Sequence, residues 1–278
     1  FIAFFLGFAI KVPIFPFHTW LPDAHVDAPT PISVLLAGVL LKMGGYGFFR
    51  IAYPICPDAA LWFSGTMALL GMVNIIYGAF VALAQTDFKR LVAYSSVSHM
   101  GFVLLGLSSL TPHGMNGALL QMFNHGIITG GMFLLVGVLY DRTHTRQLDA
   151  FGGLGARVPV YAGLLIVFSL ASLGLPGLSG FVGAFLSLIG AFGVWRWQTM
   201  VSVIGIVVAA AYMLKVLQQV LLGPLNERWR ALPDVTAREV LSLVPLLLLV
   251  VALGVYPLWL LQVQEPTLLE LIAHVIPQ

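Results

Sequence analysis

FIAFFLGFAIKVPIFPFHTWLPDAHVDAPTPISVLLAGVLLKMGGYGFFR, residues 1–50, decides the fold. Two apolar helices are written in it, and each holds one lysine, Lys11 in the first and Lys42 in the second. No acid lies within ten residues of Lys42. A lysine at the centre of a membrane helix costs about 2.5–3.5 kcal/mol on insertion scales. Pro13 and Pro16 follow Lys11 closely. A prolyl ring lacks a backbone N–H and clashes with the preceding turn, so the helix breaks there. Broken backbone at membrane depth survives only where it is buried in protein or lines a cavity. An intramembrane charge beside a helix break points to an ion path.

Composition agrees. The chain is 59% hydrophobic and 9% charged, against about 25% charged in an ordinary soluble domain. That is a polytopic membrane protein, not a globular domain on one anchor. A net charge of +2 is too small to suggest a nucleic-acid partner. Cys56 is the single cysteine, which excludes an internal disulfide and a Cys-rich metal or iron–sulfur site. No signal peptide is written at the start. Residue 1 is Phe and already lies in an apolar run, so the chain is expected to begin partway through a longer protein.

Eight apolar runs approach the ~20 residues a span needs. They fall near 1–18 (broken), 32–52, 59–84, 89–108, 115–140, 158–192 (broken), 198–222 and 238–261. Residues 262–278, with TLLELIAHVI, read as a short amphipathic tail at a membrane surface. The sixth run is too long for one straight helix, and its middle, SLGLPGLSG, carries Gly174, Pro176, Gly177 and Gly180. A Pro/Gly-interrupted helix in each half is the mark of inverted repeats around a midplane site. VLLKMGG around Lys42 and YMLKVLQ around Lys215 are a short echo of such a repeat.

Orientation follows from Lys and Arg in the loops. Lys89, Arg90, Arg142, Arg146, Arg157, Arg228, Arg230 and Arg238 collect on one side, and only Arg50 and Arg196 on the other. The rich side is expected to be cytoplasmic, together with the loop at 19–31.

Helical rise then gives depth. Lys42, His99 and His125 each lie ten residues into their helices, about 15 Å, the bilayer centre. Lys215 lies about 12 Å from the cytoplasmic end of its helix, and Lys11 adjoins the first break. Five titratable groups thus share one height. Burial disfavours the charged form of lysine, and histidine titrates near neutrality. Such groups joined by water conduct protons. Two plainer readings stay open: the histidines as interhelical hydrogen-bonding groups, and Lys215 snorkelling to the interface. His18, His25, His113, His144 and His274 fall in loops or interfaces and receive no core role. No H-E-x-x-H and no pair of histidines four apart is written, so no metal site is expected. No G-x-G-x-x-G follows a strand, so no cofactor is expected in this chain.

FAIKVPIFPFHTWLPDAHVDAPTPISVLLAGVLLKMGGYGFFR resembles the signature of the antiporter-like subunits of respiratory complex I. DFKRLVAYSSVSHMGFVLLG, NHGIITGGMFLLVGVLYDRTHTR and LGLPGLSGFVG resemble the M-type subunit, called subunit 4 in mitochondria and D-type in chloroplasts. The resemblance covers essentially the whole chain. It implies an all-α polytopic fold whose eight membrane helices, two of them broken, are the seventh to fourteenth of fourteen in an inverted-repeat architecture. It implies three parts: 1–52 ending the first antiporter repeat, 53–223 as the second, and 224–278 as the last span and tail. It makes Lys11 the lysine of the broken seventh helix, whose glutamate partner lies outside this sequence. It makes Lys42 the central lysine of the eighth, with His99 and His125 continuing the polar axis. At one place the sequence departs: M-type subunits usually read GFVGEF, and this chain reads GFVGAF, with Ala184. Lys215 is the candidate substitute for that glutamate, expected to point toward His125 and the break at Pro176.

The function this implies is proton translocation by a membrane-arm subunit of an NADH:quinone oxidoreductase, with redox chemistry in other subunits. The partners are other membrane-arm subunits, neighbouring antiporter-like ones among them, and lipids; no quinone contact is expected. The location is a bacterial plasma membrane or an organellar energy-transducing membrane. The alternatives are a Mrp-type sodium/proton antiporter, a membrane-bound hydrogenase subunit, or a non-pumping scaffold. Sodium usually needs carboxylate or carbonyl oxygens, so the dearth of internal acids favours protons.

Overall fold

A computed structural model describes residues 1–276. Its elements are helices, with one isolated β-bridge between Asp87 and Gln147. Six helices are long and apolar enough to cross a membrane: α3 (Thr30–Ile55), α4 (Pro57–Ala84), α5 (Phe88–Ser108), α6 (Pro112–Thr143), α9 (Arg196–Leu221) and α10 (Ala237–Val255). Shorter helices join them: α1 (Ile2–Lys11), α2 (Trp20–Asp27), α7 (Pro159–Leu173), α8 (Ser179–Phe192) and α11 (Leu258–Val275), with single helical turns at Leu148–Ala150, Leu154–Arg157 and Glu227–Trp229.

Both expected breaks are present. Helix α1 stops at Lys11 and helical structure resumes only at Trp20. Helix α7 stops at Leu173, where Gly174 takes φ +86° and closes the helix in a left-handed turn. The chain then crosses Pro176 and starts α8 at Ser179. The other boundaries follow ordinary capping chemistry. Asp87 accepts from the Arg90 N–H to start α5, and Thr111 accepts from the Gly114 N–H to start α6. Thr236 and Glu239 form a capping box at α10.

The loops rich in Lys and Arg meet on one face. Arg146 pairs with Asp87 at 3.4 Å and donates to Val26 O at 2.8 Å, while Arg90 pairs with Asp23. Arg142 grips both carboxylate oxygens of Glu239 at 2.7 and 2.8 Å. These contacts tie the segments around 23–26, 87–90, 142–146 and 239 together as a basic face.

The interior is centred on α5, which is buried on nearly every side and packed by α4, α6 and α8. One apolar cluster joins α5, α6, α7 and α9; a second joins α1, α3, α4 and α11.

Two expectations are corrected, and one feature lies outside them. The apolar run 238–261 is not one helix: α10 ends at Val255, and Pro257 starts the last helix. The tail therefore begins at Leu258. It lies against the end opposite the basic face, where Gln264 donates to Asn116 O at 2.9 Å and His274 meets Pro54 O at 3.0 Å. The loop 19–31 is not open coil, because Trp20–Asp27 is helical and its His25 is wholly buried. Helix α3 is not uniform, because π turns interrupt it at Leu36–Leu40 and Phe48–Ala52.

Candidate functional site

The first π turn shapes the site. Widening the helix frees carbonyl groups from the regular ladder, and single π turns concentrate at functional positions. Here the Ala37 carbonyl accepts a hydrogen bond from Lys42 Nζ within the same helix. The lysine stem is thereby held across the face of α3 that meets α6. The two helices cross where glycine faces glycine. A Cβ on Gly126 would stand 2.7 Å from Gly38 O and 3.7 Å from Lys42 Cε. Only a residue without a side chain lets the backbones approach this far, as is common where membrane helices cross.

The crossing sets Lys42 Nζ 2.6 Å from His125 Nδ1. An ammonium has three donors and no acceptor. With Lys42 charged, His125 Nδ1 must therefore accept, and the ring proton sits on Nε2. That Nε2 is buried and has no protein partner. The His99 ring lies next, with centroids 5.5 Å apart. His99 Nε2 is 3.3 Å from Ser172 Oγ, in the last turn of α7 before the break. Asn124 pins the other side of the break by donating to Ser179 O at 2.7 Å. A row thus runs Lys42, His125, His99, Ser172 across four helices in the interior. It ends on a cavity of about 100 Å³ whose lining includes His99, Ser172, Gly174, Gly180, Ala184 and Ala209.

Residues 1–211 match the family described as NADH:quinone oxidoreductase/Mrp antiporter, TM. The chain belongs to this family. It is 47% identical to NADH-quinone oxidoreductase subunit M of Rhodobacter capsulatus over 99% of its own length and 54% of the relative's. It is also 47% identical to subunit M of Rickettsia conorii, over 94% of this chain and 53% of that one. The chain spans about half the length of these curated relatives. A chain of respiratory complex I from Thermus thermophilus superposes with TM-score 0.93 at 36% identity, covering 99% of this chain and 58% of that one. A chain of the Mrp complex from Dietzia sp. superposes with TM-score 0.86 at 21% identity, covering 97% and 60% respectively, a likeness of fold. The protein is an integral membrane protein of the antiporter-like type.

Among the five titratable residues singled out in this antiporter-family chain, the structure brings Lys42, His125 and His99 together and separates the other two. Lys11 is exposed at the end of α1, packed by its Cβ against Gly44, and makes no polar contact among the described residues. Lys215 does not point to His125 or to the break. Its Nζ donates to Leu83 O at 2.8 Å and Gln85 O at 3.0 Å, at the end of α4 on the basic face. The reason is local. The last carbonyls of a helix have no intrahelical donor, and they form the negative end of its dipole. A flexible ammonium within reach settles there. Lys215 therefore caps α4. Lys215→Met is expected to leave proton translocation near normal and to lower thermal stability by about 0.3–1 kcal/mol, the scale of a cap interaction. Loss of translocation in this variant, with the complex assembled, would return Lys215 to the axis.

The sequence reading missed His25 and Ser172. His25 is fully buried, stacked on Phe133 with centroids 4.5 Å apart, and neither ring nitrogen has a protein partner. Burial, then the fields of Lys89 and Lys42, lower its pKa from 6.5 to about 3. A vestibule of about 390 Å³ opens on the basic face, lined by Val26, Asp27, Lys89, Asp141 and Arg146 among others. Nothing in the spacing of HTWLPDAHVDAPTP tells a buried histidine from a loop one. Ser172 did carry a signal, since it stands two residues before the glycine that closes α7.

Proposed function

We propose that this chain forms part of a proton-translocating membrane subunit of an NADH:quinone oxidoreductase. The observation that carries the reading is the 2.6 Å contact between Lys42 and His125, continued by His99 and Ser172, inside an integral membrane protein. A proton enters from the basic face, proposed to be cytoplasmic, through the vestibule at Lys89 and Asp27. His25 passes it inward to the Lys42–His125 pair. A neutral imidazole accepts on one nitrogen and releases from the other, so each histidine relays without storing charge. Lys42 is the group that holds charge, and its occupancy is what other subunits would sense and drive. Redox centres, nicotinamide and quinone sites belong to those other subunits. The 47% identity to subunit M favours this complex over a Mrp-type antiporter, for which the 21% likeness argues fold alone.

His125→Phe tests the reading. The ring volume is kept and both nitrogens are lost. In the assembled complex, proton translocation driven by NADH is expected to fall at least tenfold, within the range that one positioned acid–base group contributes. Wild-type translocation in this variant would show that the row is a packing feature.

A further inference from the structure

A groove runs along the outside of α3. Its deeper part, about 680 Å³, lies between α3, α6 and α10, with Leu35, Val39, Met43 and Phe123 in its apolar lining. Its outer part, about 540 Å³, lies between α3 and α11 and carries Arg50, Glu270 and His274. Tyr46, Leu119 and Gln264 line both parts, so the groove is continuous.

On α3 the groove is a stripe at helical spacing, Leu35, Val39, Met43, Tyr46 and Arg50. The first four are 51–56% exposed, and Arg50 is exposed as well. Arg50 lies eight residues beyond Lys42, about 12 Å along the helix. One leaflet of a hydrocarbon core is about 15 Å deep. The stripe from Lys42 to Arg50 therefore matches one leaflet, and it sets Arg50 at headgroup level on the side opposite the basic face.

Two opposite charges stand at the mouth. Arg50 and Glu270 line the same cavity without pairing with each other, and neither forms an ion pair among the described residues. His274 is engaged by Pro54 O. An arginine alone suits any phosphate headgroup. The acid across the mouth disfavours a headgroup of net negative charge and favours one that also carries a cationic donor.

We infer that this groove holds one ethanolamine phospholipid of the leaflet opposite the basic face. The phosphate accepts paired hydrogen bonds from the planar guanidinium of Arg50. The primary ammonium donates to Glu270. An acyl chain follows Tyr46, Met43 and Val39 inward and lies over the stem of Lys42, which lines the same groove. A choline headgroup brings the phosphate but no N–H for Glu270. A glycerol headgroup brings the phosphate and leaves its charge unbalanced beside that acid. The site does not depend on the proton reading above.

The test uses the assembled complex in nanodiscs of choline phospholipid. Three photoactivatable lipids with the same diazirine-bearing acyl chain and ethanolamine, choline or glycerol headgroups are added, each at the same mole fraction. Labelled peptides are identified by mass spectrometry after illumination. Val207 of α9, 68% exposed in an apolar stretch, reports bulk lipid. The ethanolamine form is expected to label residues 39–46 about tenfold more than either other form, the scale of one hydrogen bond between charged groups, while all three label the Val207 peptide equally. Glu270→Gln is expected to bring the ratio of ethanolamine to choline labelling at 39–46 to about one. Arg50→Ala is expected to lower ethanolamine labelling there about tenfold. Labelling at 39–46 as indifferent to headgroup as at Val207 would mean bulk lipid only. No label at 39–46 while Val207 is labelled would mean that protein covers the groove. Strongest labelling by the glycerol form would assign an anionic lipid. Each of these overturns the proposal, as does a headgroup preference unchanged in both variants.

Discussion

Lys42→Met is expected to stop proton translocation and leave the subunit assembled. Methionine keeps most of the lysine stem and fills its place between α3 and α6. What is lost is the ammonium, with its bonds to Ala37 O and His125 Nδ1. In most interiors, deleting one partner of a buried polar pair destabilises. Here the deleted partner is a cation at membrane depth, whose insertion costs about 2.5–3.5 kcal/mol. Its removal offsets the bonds lost, so the fold should survive. Lys42→Arg separates charge from titration. Arginine keeps the positive charge and never releases its proton in a protein. If Lys42 only supplied a field, arginine would substitute; if it takes up and releases a proton, arginine fails as methionine does. The expected result is that both variants assemble and that NADH-driven proton movement falls by an order of magnitude or more in each. Translocation at the wild-type rate in the arginine variant would confine Lys42 to an electrostatic role.

The second large effect is on stability, and it comes from His25. Its pKa in the folded protein is about 3, with burial as the first cause and Lys89 and Lys42 after it. In the unfolded chain the value returns to about 6.5. The folded state therefore binds fewer protons than the unfolded one throughout that interval, and stability rises with pH across it. The contribution is fully present above the unfolded value and is lost as pH falls toward 3. At about pH 5 the loss amounts to about 2 kcal/mol, one and a half units at 1.36 kcal/mol each. His25→Phe removes the titrating group and keeps a ring to stack on Phe133. The variant and the wild type are compared by denaturant unfolding in mixed micelles at about pH 7.5, 6 and 5. Their difference is expected to widen in favour of phenylalanine by about 2 kcal/mol over that range. Parallel curves would show that His25 takes its proton in the folded state, by a partner or by opening to water. The same variant should slow proton entry, because phenylalanine cannot relay.

Much of this was legible in the chain itself. Membrane character follows from composition, since runs of 20 apolar residues have no other stable solvent. The breaks at Pro13 and Pro176 follow from covalent chemistry, because a prolyl ring cannot donate and a glycine can take positive φ; both are properties of single residues. The common depth of Lys42, His99 and His125 follows from a rise of 1.5 Å per residue, which needs no knowledge of neighbours.

What periodicity cannot supply is which way a side chain faces and what stands opposite it. Lys42 and Lys215 read alike in VLLKMGG and YMLKVLQ. One meets a histidine across a glycine crossing; the other reaches the carbonyl end of α4 and caps it. A lysine stem spans several ångströms, so its destination is set by the nearest acceptors in space, which belong to other helices. His25 received no core role from the sequence for the same reason, since its burial is a property of what packs over it. The sequence determined a helical membrane protein with two broken elements and titratable groups within its apolar runs. The tertiary structure alone decided which of those charges form one row, because partnership across helices is fixed by close approach at Gly38 and Gly126 and not by spacing along the chain.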